Sequence, residues 1–137
     1  MEIIVDTNIL FSAILKDSTI RKIILLSPIK FFIPEYALKE IEEHLEEIKE
    51  KTNLDHNEFY SIYKILIRSM AVIPFRELDN HKLAAMEIVC DIDKEDTMII
   101  AAALSRPNSI LWSEDKPLKK QNEIRVFNTA EMIRLLL

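Results

Sequence analysis

The chain has 137 residues, 49% hydrophobic and 30% charged, which supplies apolar material for one domain with one core. It contains no glycine, and this excludes the G-x-G-x-x-G dinucleotide turn, the Walker A loop and the G-x-S-x-G nucleophile elbow, each of which needs a residue without Cβ. The net charge of −5, from 23 acidic against 18 basic residues, argues against a broad basic surface and permits a carboxylate cluster that gathers hard cations.

The lone Cys90 forms neither an internal disulfide nor a thiolate zinc site, so a reducing, cytoplasmic setting is expected. The opening residues do not read as a signal peptide. The longest apolar runs, such as 23–26 and 98–104, fall short of a membrane span, so the expected protein is soluble and free of membrane.

In chain order, Glu2–Ile3–Ile4–Val5 predicts a strand, followed by a helix over about 7–15. A second helix over about 19–26 takes Asp17 or Ser18 as its N-cap and stops before Pro28. Lys30–Phe31–Phe32–Ile33 is the next strand, ended by Pro34. The spacing then predicts one long helix over about 35–51, with Leu38, Ile41, Leu45 and Ile48 as its apolar stripe. A further helix presents Phe59, Ile62, Tyr63, Leu66 and Ile67. Residues 71–73 form a short strand closed by Pro74. Helices over about 81–89 and 94–104, strands at 109–112 and 124–127, and a helix from Thr129 complete the chain. Strands alternating with helices indicate an α/β sandwich around a mainly parallel sheet of about five strands, a single domain over residues 1–137. The strands lack polar alternation, as expected when both sheet faces are covered.

This architecture would gather four acids. Asp6 ends the first strand and Asp115 lies just beyond a later one, so in a parallel sheet both stand at the carboxyl-terminal edge, where α/β folds place their sites. Helices between parallel strands start at that same edge. Asp96 lies in the first turn of its helix and Glu40 in the second turn of the helix after strand two. Each acid also has a plainer reading. Asp6 and Asp93 suit helix N-caps, Asp96 suits a helix dipole and Asp115 a turn. Periodicity puts Glu40 off the apolar stripe, among Glu42, Glu43, Glu46 and Glu47, where a solvated face is the default. Converging carboxylates repel unless protonated or bridged by cations. Oxygen-only ligands suit Mg²⁺ or Mn²⁺, and such ions support hydrolysis of phosphodiesters. Thr7, Asn8 and Ser113 are ordinary polar loop residues unless the cluster forms, in which case they can hold the carboxylates or a metal-bound water.

Four segments then resemble motifs of PIN-domain ribonucleases, in the family's order and across essentially the whole chain. These are Asp6–Thr7–Asn8 after the opening strand, Pro34–Glu35–Tyr36–Ala37–Leu38–Lys39–Glu40–Ile41 after the second, Asp93–Lys94–Glu95–Asp96 opening an alanine-rich helix, and Leu111–Trp112–Ser113–Glu114–Asp115. The resemblance implies a three-layer α/β/α domain that cleaves RNA with Mg²⁺ or Mn²⁺. It implies Asp6, Glu40, Asp96 and Asp115 as metal-binding acids, with Asn8 and Ser113 in support. Asp93 resembles an extra acid of some branches, and Glu43 is the alternative to Glu40 one turn along. The chain departs from the family at Ser113, where Thr is common, and at Lys116–Pro117, where many members carry a further Asp. The resemblance also permits a toxin of a toxin–antitoxin pair, with the helices between Glu35 and Met70 offering a face for a homodimer or an antitoxin.

Two other readings fit less well. A PIN-fold module that binds RNA or protein without catalysis is the alternative within the family. A haloacid-dehalogenase-like phosphatase would want an acid at Asn8, and a response-regulator receiver would want one near Ile73–Pro74–Phe75.

Overall fold

The computed structural model describes residues 1–15, 19–90 and 92–136, so the expected caps Asp17 and Ser18 lie outside the described residues. Five strands, β1 (Glu2–Val5), β2 (Lys30–Pro34), β3 (Met70–Ile73), β4 (Ile110–Trp112) and β5 (Arg125–Phe127), form one sheet in the order β3-β2-β1-β4-β5. Every pairing is parallel, and β1 at the centre registers Ile4 against Phe32 on one side and Leu111 on the other.

The sheet is apolar on both faces because successive strand residues point to opposite sides. Ile3, Val5, Phe31, Ile33, Ile110 and Trp112 face one layer, while Ile4, Phe32, Ile73, Leu111 and Val126 face the other. The first layer is covered by α1 (Thr7–Leu15), α2 (Thr19–Leu26), α3 (Glu35–Glu43), α4 (Leu45–Lys51), α5 (His56–Arg68) and α9 (Thr129–Leu136). The second is covered by α6 (Phe75–Asn80), α7 (Lys82–Val89) and α8 (Thr97–Leu104). The domain is therefore the expected three-layer sandwich.

Local differences from the sequence reading have identifiable causes. The long helix over 35–51 is two helices, because the His44 N–H bonds to Ile41 O, tightening the last turn of α3 before α4 restarts. Ala37 rather than Leu38 is the buried residue of the α3 stripe. Helix α6 lies outside the elements the sequence predicts: it follows Pro74, buries Leu78, and has its Phe75 N–H held by Glu35 Oε1 at 2.9 Å. The segment before α8 is a 3₁₀ turn, Lys94–Asp96, whose cap is Asp93: Oδ1 accepts the Glu95 N–H at 3.0 Å and the backbone carbonyl accepts the Asp96 N–H at 2.9 Å. Without glycine, the positive-φ positions among the described residues fall to Asn53 (58°) and Asn108 (66°), the residue type that tolerates that region best after glycine.

Candidate active site

The acids meet where the parallel strands end. Asp6 follows β1 directly, and its backbone N–H still pairs with Trp112 O at 3.1 Å, so it sits on the sheet edge itself. Its two carboxylate oxygens are both engaged. Oδ1 accepts the Thr7 N–H at 2.7 Å, and Oδ2 accepts the Ser113 hydroxyl at 2.6 Å. The Ser113 oxygen in turn accepts the Asp115 N–H at 3.1 Å. Ser113 is fully buried, so one hydroxyl fixes Asp6 and the backbone of Asp115 together. A burial this complete requires the hydroxyl to be satisfied, and it is satisfied on both sides. Burial raises the Asp6 carboxyl above its ordinary value, Ser113 and Thr7 oppose that rise, and the charge of Asp115 adds to it.

Asp96 approaches from the other side of the edge, at the start of α8. Its carboxyl is pushed up to about 7 by burial first, then by a hydrogen bond shared with Asp115, and then by the charges of Asp115, Asp93 and Asp6. With both acids ionised, no donor reaches Asp96 Oδ2, which is buried and without a hydrogen-bond partner. Two carboxylates this close need a proton or a cation between them.

Glu40 stands at the rim. It is exposed, and partial loss of water raises its carboxyl, with Asp6 and Glu43 adding to the rise and His44 opposing it. The structure thus brings Asp6, Asp96 and Asp115 into mutual range and leaves Glu40 beside Asp6. Asn8 is exposed, and Asp93 is an exposed cap that touches the site only through its charge on Asp96.

Sequence reasoning missed Tyr36 as a site residue. It follows Pro34 by two positions in the first turn of α3, at the same sheet edge. Burial and the charges of Asp6, Glu40 and Asp96 hold its phenol well above its ordinary range, with the Thr7 side chain opposing that rise. The readable signal was an aromatic hydroxyl directly after a strand that ends at the site edge.

The donor set suits a hard divalent cation in kind: oxygen ligands, two carboxylates within proton-sharing range, and one buried oxygen that lacks a donor. Among the described residues, no three His, Cys, Asp or Glu side chains are grouped closely enough to hold an ion alone. The fit is therefore to an ion such as Mg²⁺ that takes one or two carboxylates and completes its shell with water and phosphate, rather than to an all-protein cage.

An all-parallel α/β sandwich with acids converging at its carboxyl edge defines a fold class rather than a single protein. The family follows from the sequence match: residues 4–130 fit the PIN-domain model, and the chain belongs to the PIN-domain family. Among curated protein sequences none matches the chain. Solved structures share the fold. A VapBC2 assembly from Rickettsia felis, bound to a DNA fragment from its promoter, contains a chain 20% identical with a TM-score of 0.71, covering 93% of this chain and 98% of that one. A DNA-bound VapBC from Salmonella typhimurium matches at 17% identity and a TM-score of 0.70, again over 93% and 98%.

Proposed function

We propose that the chain is a metal-dependent endoribonuclease that hydrolyses RNA phosphodiester bonds at the Asp6–Asp96–Asp115 edge. The observation that carries this reading is the Asp96–Asp115 pair, with a buried carboxylate oxygen left without a donor beside a second acid. Asp96 and Asp115 would hold Mg²⁺ or Mn²⁺, with Asp6 behind them and Glu40 at the rim as further ligands. A bound ion of this kind supplies activation of water and charge neutralisation at phosphorus.

The chain's own residues prepare the site. Ser113 and the Thr7 N–H fix the Asp6 oxygens, so that carboxylate presents one orientation to the cleft. Ser113 also holds the backbone of Asp115, and with it the acid that pairs with Asp96. The cleft beside them, about 280 Å³ and lined by Ser113, Glu114, Asp115, Lys116, Lys119 and Asn128, offers two ammonium groups for a phosphate backbone beside its two carboxylates. Lys119 is ion-paired with Glu131, which leaves Lys116 the better placed of the two.

The toxin half of a toxin–antitoxin pair is the biological role this reading favours, and VapBC assemblies among the structural neighbours support an antitoxin partner. A homodimer draws support from α7, where Leu83 (79% exposed) and Met86 (49%) form an uncovered apolar surface. Among the described residues no helix is long and apolar enough to cross a membrane. A second reading, a PIN-fold RNA-binding or protein-interaction module with little catalysis, draws on Lys116 in place of a further acid and on the lack of a three-ligand group among the described residues.

Cleavage of a mixed panel of labelled RNAs and single-stranded DNA, with Mg²⁺, Mn²⁺ or EDTA, separates the two. The nuclease reading expects divalent-dependent cutting of RNA that Asp6→Asn abolishes while the variant stays folded. Cutting that survives in Asp6→Asn, or that persists in EDTA, overturns it. Folded protein that binds RNA without cutting favours the module.

A further inference from the structure

Asp96 stands in the chain between two residues, Glu95 and Thr97, that line a cleft of about 640 Å³. That volume falls in the range of sites for small organic ligands. The facing wall is one side of α7, where Met86, Val89 and Cys90 follow Lys82 at helical spacing, and Met98 of α8 completes the lining. Val89 and Thr97 are buried and form the floor, whereas Lys82, Met86, Cys90 and Glu95 are exposed.

Backbone bonds hold the two walls together. The Ile92 N–H bonds to Val89 O at 2.9 Å, which carries the end of α7 into the turn. Asp93 then fixes the next two residues: its Oδ1 accepts the Glu95 N–H at 3.0 Å and its backbone carbonyl accepts the Asp96 N–H at 2.9 Å. The same turn therefore positions the acid of the site and the carboxylate of the cleft, the kind of support that a preorganised contact requires.

The lining selects its ligand by chemistry. Two thioethers and a valine make an apolar surface, and sulfur packs favourably against aromatic rings. Glu95 adds a carboxylate, which when ionised only accepts hydrogen bonds. The fitting ligand is thus a flat aromatic ring with donors side by side on its edge. Among the RNA bases guanine alone presents that edge, through N1–H and the N2 amino group. Adenine and cytosine set an acceptor beside their amino group, and uracil sets its imino group between two carbonyls. Single-stranded RNA is read through bases splayed out of the strand, and a strand seated on the acids carries such bases past Glu95.

We propose that the cleft between α7 and the turn at Glu95 is a guanine-binding subsite for the RNA held at the acids, with Met86 and Met98 against the base and Glu95 accepting from N1–H and N2–H. Lys82, at the other end of the α7 wall, is then placed for a phosphate of the same strand. The inference rests on the nuclease reading and adds a base preference to it.

Cys90 lines the cleft and is the one cysteine of the chain, so its thiol reports on occupancy. Alkylation of Cys90 by iodoacetamide is followed by mass, with Ca²⁺ replacing Mg²⁺ and short uridine oligonucleotides carrying one central guanosine, adenosine or cytidine, or none. Affinity for the same oligonucleotides is read by anisotropy. The guanosine oligonucleotide should slow alkylation and bind about tenfold more tightly than the others, the scale of one bidentate base contact. Glu95→Gln should abolish that preference and leave Mn²⁺ affinity and thermal melting unchanged. Equal protection by all four oligonucleotides, or a guanosine preference that survives in Glu95→Gln, overturns the proposal. A fall in Mn²⁺ affinity in Glu95→Gln overturns it too, because the carboxylate then serves the metal. Alkylation that slows with protein concentration in the absence of RNA, as a dimer forms in sedimentation, overturns it by showing a second copy of the chain over the cleft. If wild type cuts RNA without regard to guanosine, the subsite falls and the nuclease reading stands. If wild type neither binds nor cuts RNA, both fall.

Discussion

Replacing Asp96 by asparagine separates the electrostatic cost of the site from its use. The Asp96 carboxyl is moved from its ordinary 3.8 to about 7, so the folded chain holds this proton where the unfolded chain has released it. The group favours folding fully below 3.8 and loses that contribution as pH rises through about 7. In a dry site the shift would weigh on the order of 4 kcal/mol against the ionised fold at pH 8. Asp96 is half-buried, and water on its open side reduces this to about 1–2 kcal/mol. An amide of the same shape carries no charge and can donate an N–H toward Asp115, as the protonated acid does. In EDTA at pH 8 Asp96→Asn should therefore raise the melting temperature, by about 3–8 °C for a chain of this size. The gain should shrink steadily as pH is lowered from about 7 to about 4. Saturating Mn²⁺ should raise the melting point of wild type and leave the variant unmoved; an ion at a hundred times its Kd contributes about 2.7 kcal/mol to the form that binds it. Differential scanning calorimetry across pH and metal reads all of this. A variant less stable than wild type at pH 8, or a gain as large at pH 4 as at pH 8, refutes the electrostatic account.

Ser113→Ala removes the donor to Asp6 and the acceptor of the Asp115 N–H, so urea denaturation should show a loss of about 1–3 kcal/mol and cleavage should fall with it. Wild-type stability in that variant would mean water replaces both bonds. Phe59→Ala, at a fully buried position of the core beneath α5, should cost about 3–5 kcal/mol by the same assay. Asn108→Ala places a Cβ without a helpful amide at φ 66° and should cost about 1 kcal/mol; no change would show that the loop relaxes away from that conformation. The single tryptophan, Trp112, is fully buried one residue before Ser113 and donates to Thr129 Oγ1 at 3.0 Å, so its emission should shift red in the same transition that calorimetry records.

The sheet was legible because its strands are short runs such as Ile3–Ile4–Val5 and Phe31–Phe32–Ile33, apolar on both faces and separated by helical period. The edge location of Asp6, Asp96 and Asp115 followed from that alternation alone. Other features depend on partners distant in sequence. The break at His44 has neither glycine nor proline to mark it and is made by one tightened hydrogen bond to Ile41. Helix α6 is tied down by Glu35, forty residues earlier, which no local pattern reveals. Glu40 reads as a solvated residue and is in fact exposed; only its proximity to Asp6 distinguishes it from its acidic neighbours. Nothing local marks Tyr36: its packing against both layers depends on where α3 starts relative to the sheet.

The central place of β1 in the sheet has a temporal meaning. As the chain leaves the ribosome, β1 can pair with β2 and β2 with β3 within the first 73 residues, but the other side of β1 waits for β4 at residues 110–112. During that interval one side of the innermost strand lies open, the kind of unpaired edge that recruits foreign strands. The bond from Ser113 to Asp6 spans 107 residues, so the acid edge is completed among the last long-range contacts and a nascent chain carries no assembled site. If the proposed nuclease activity holds, the order of synthesis itself would delay that activity until the fold is nearly whole.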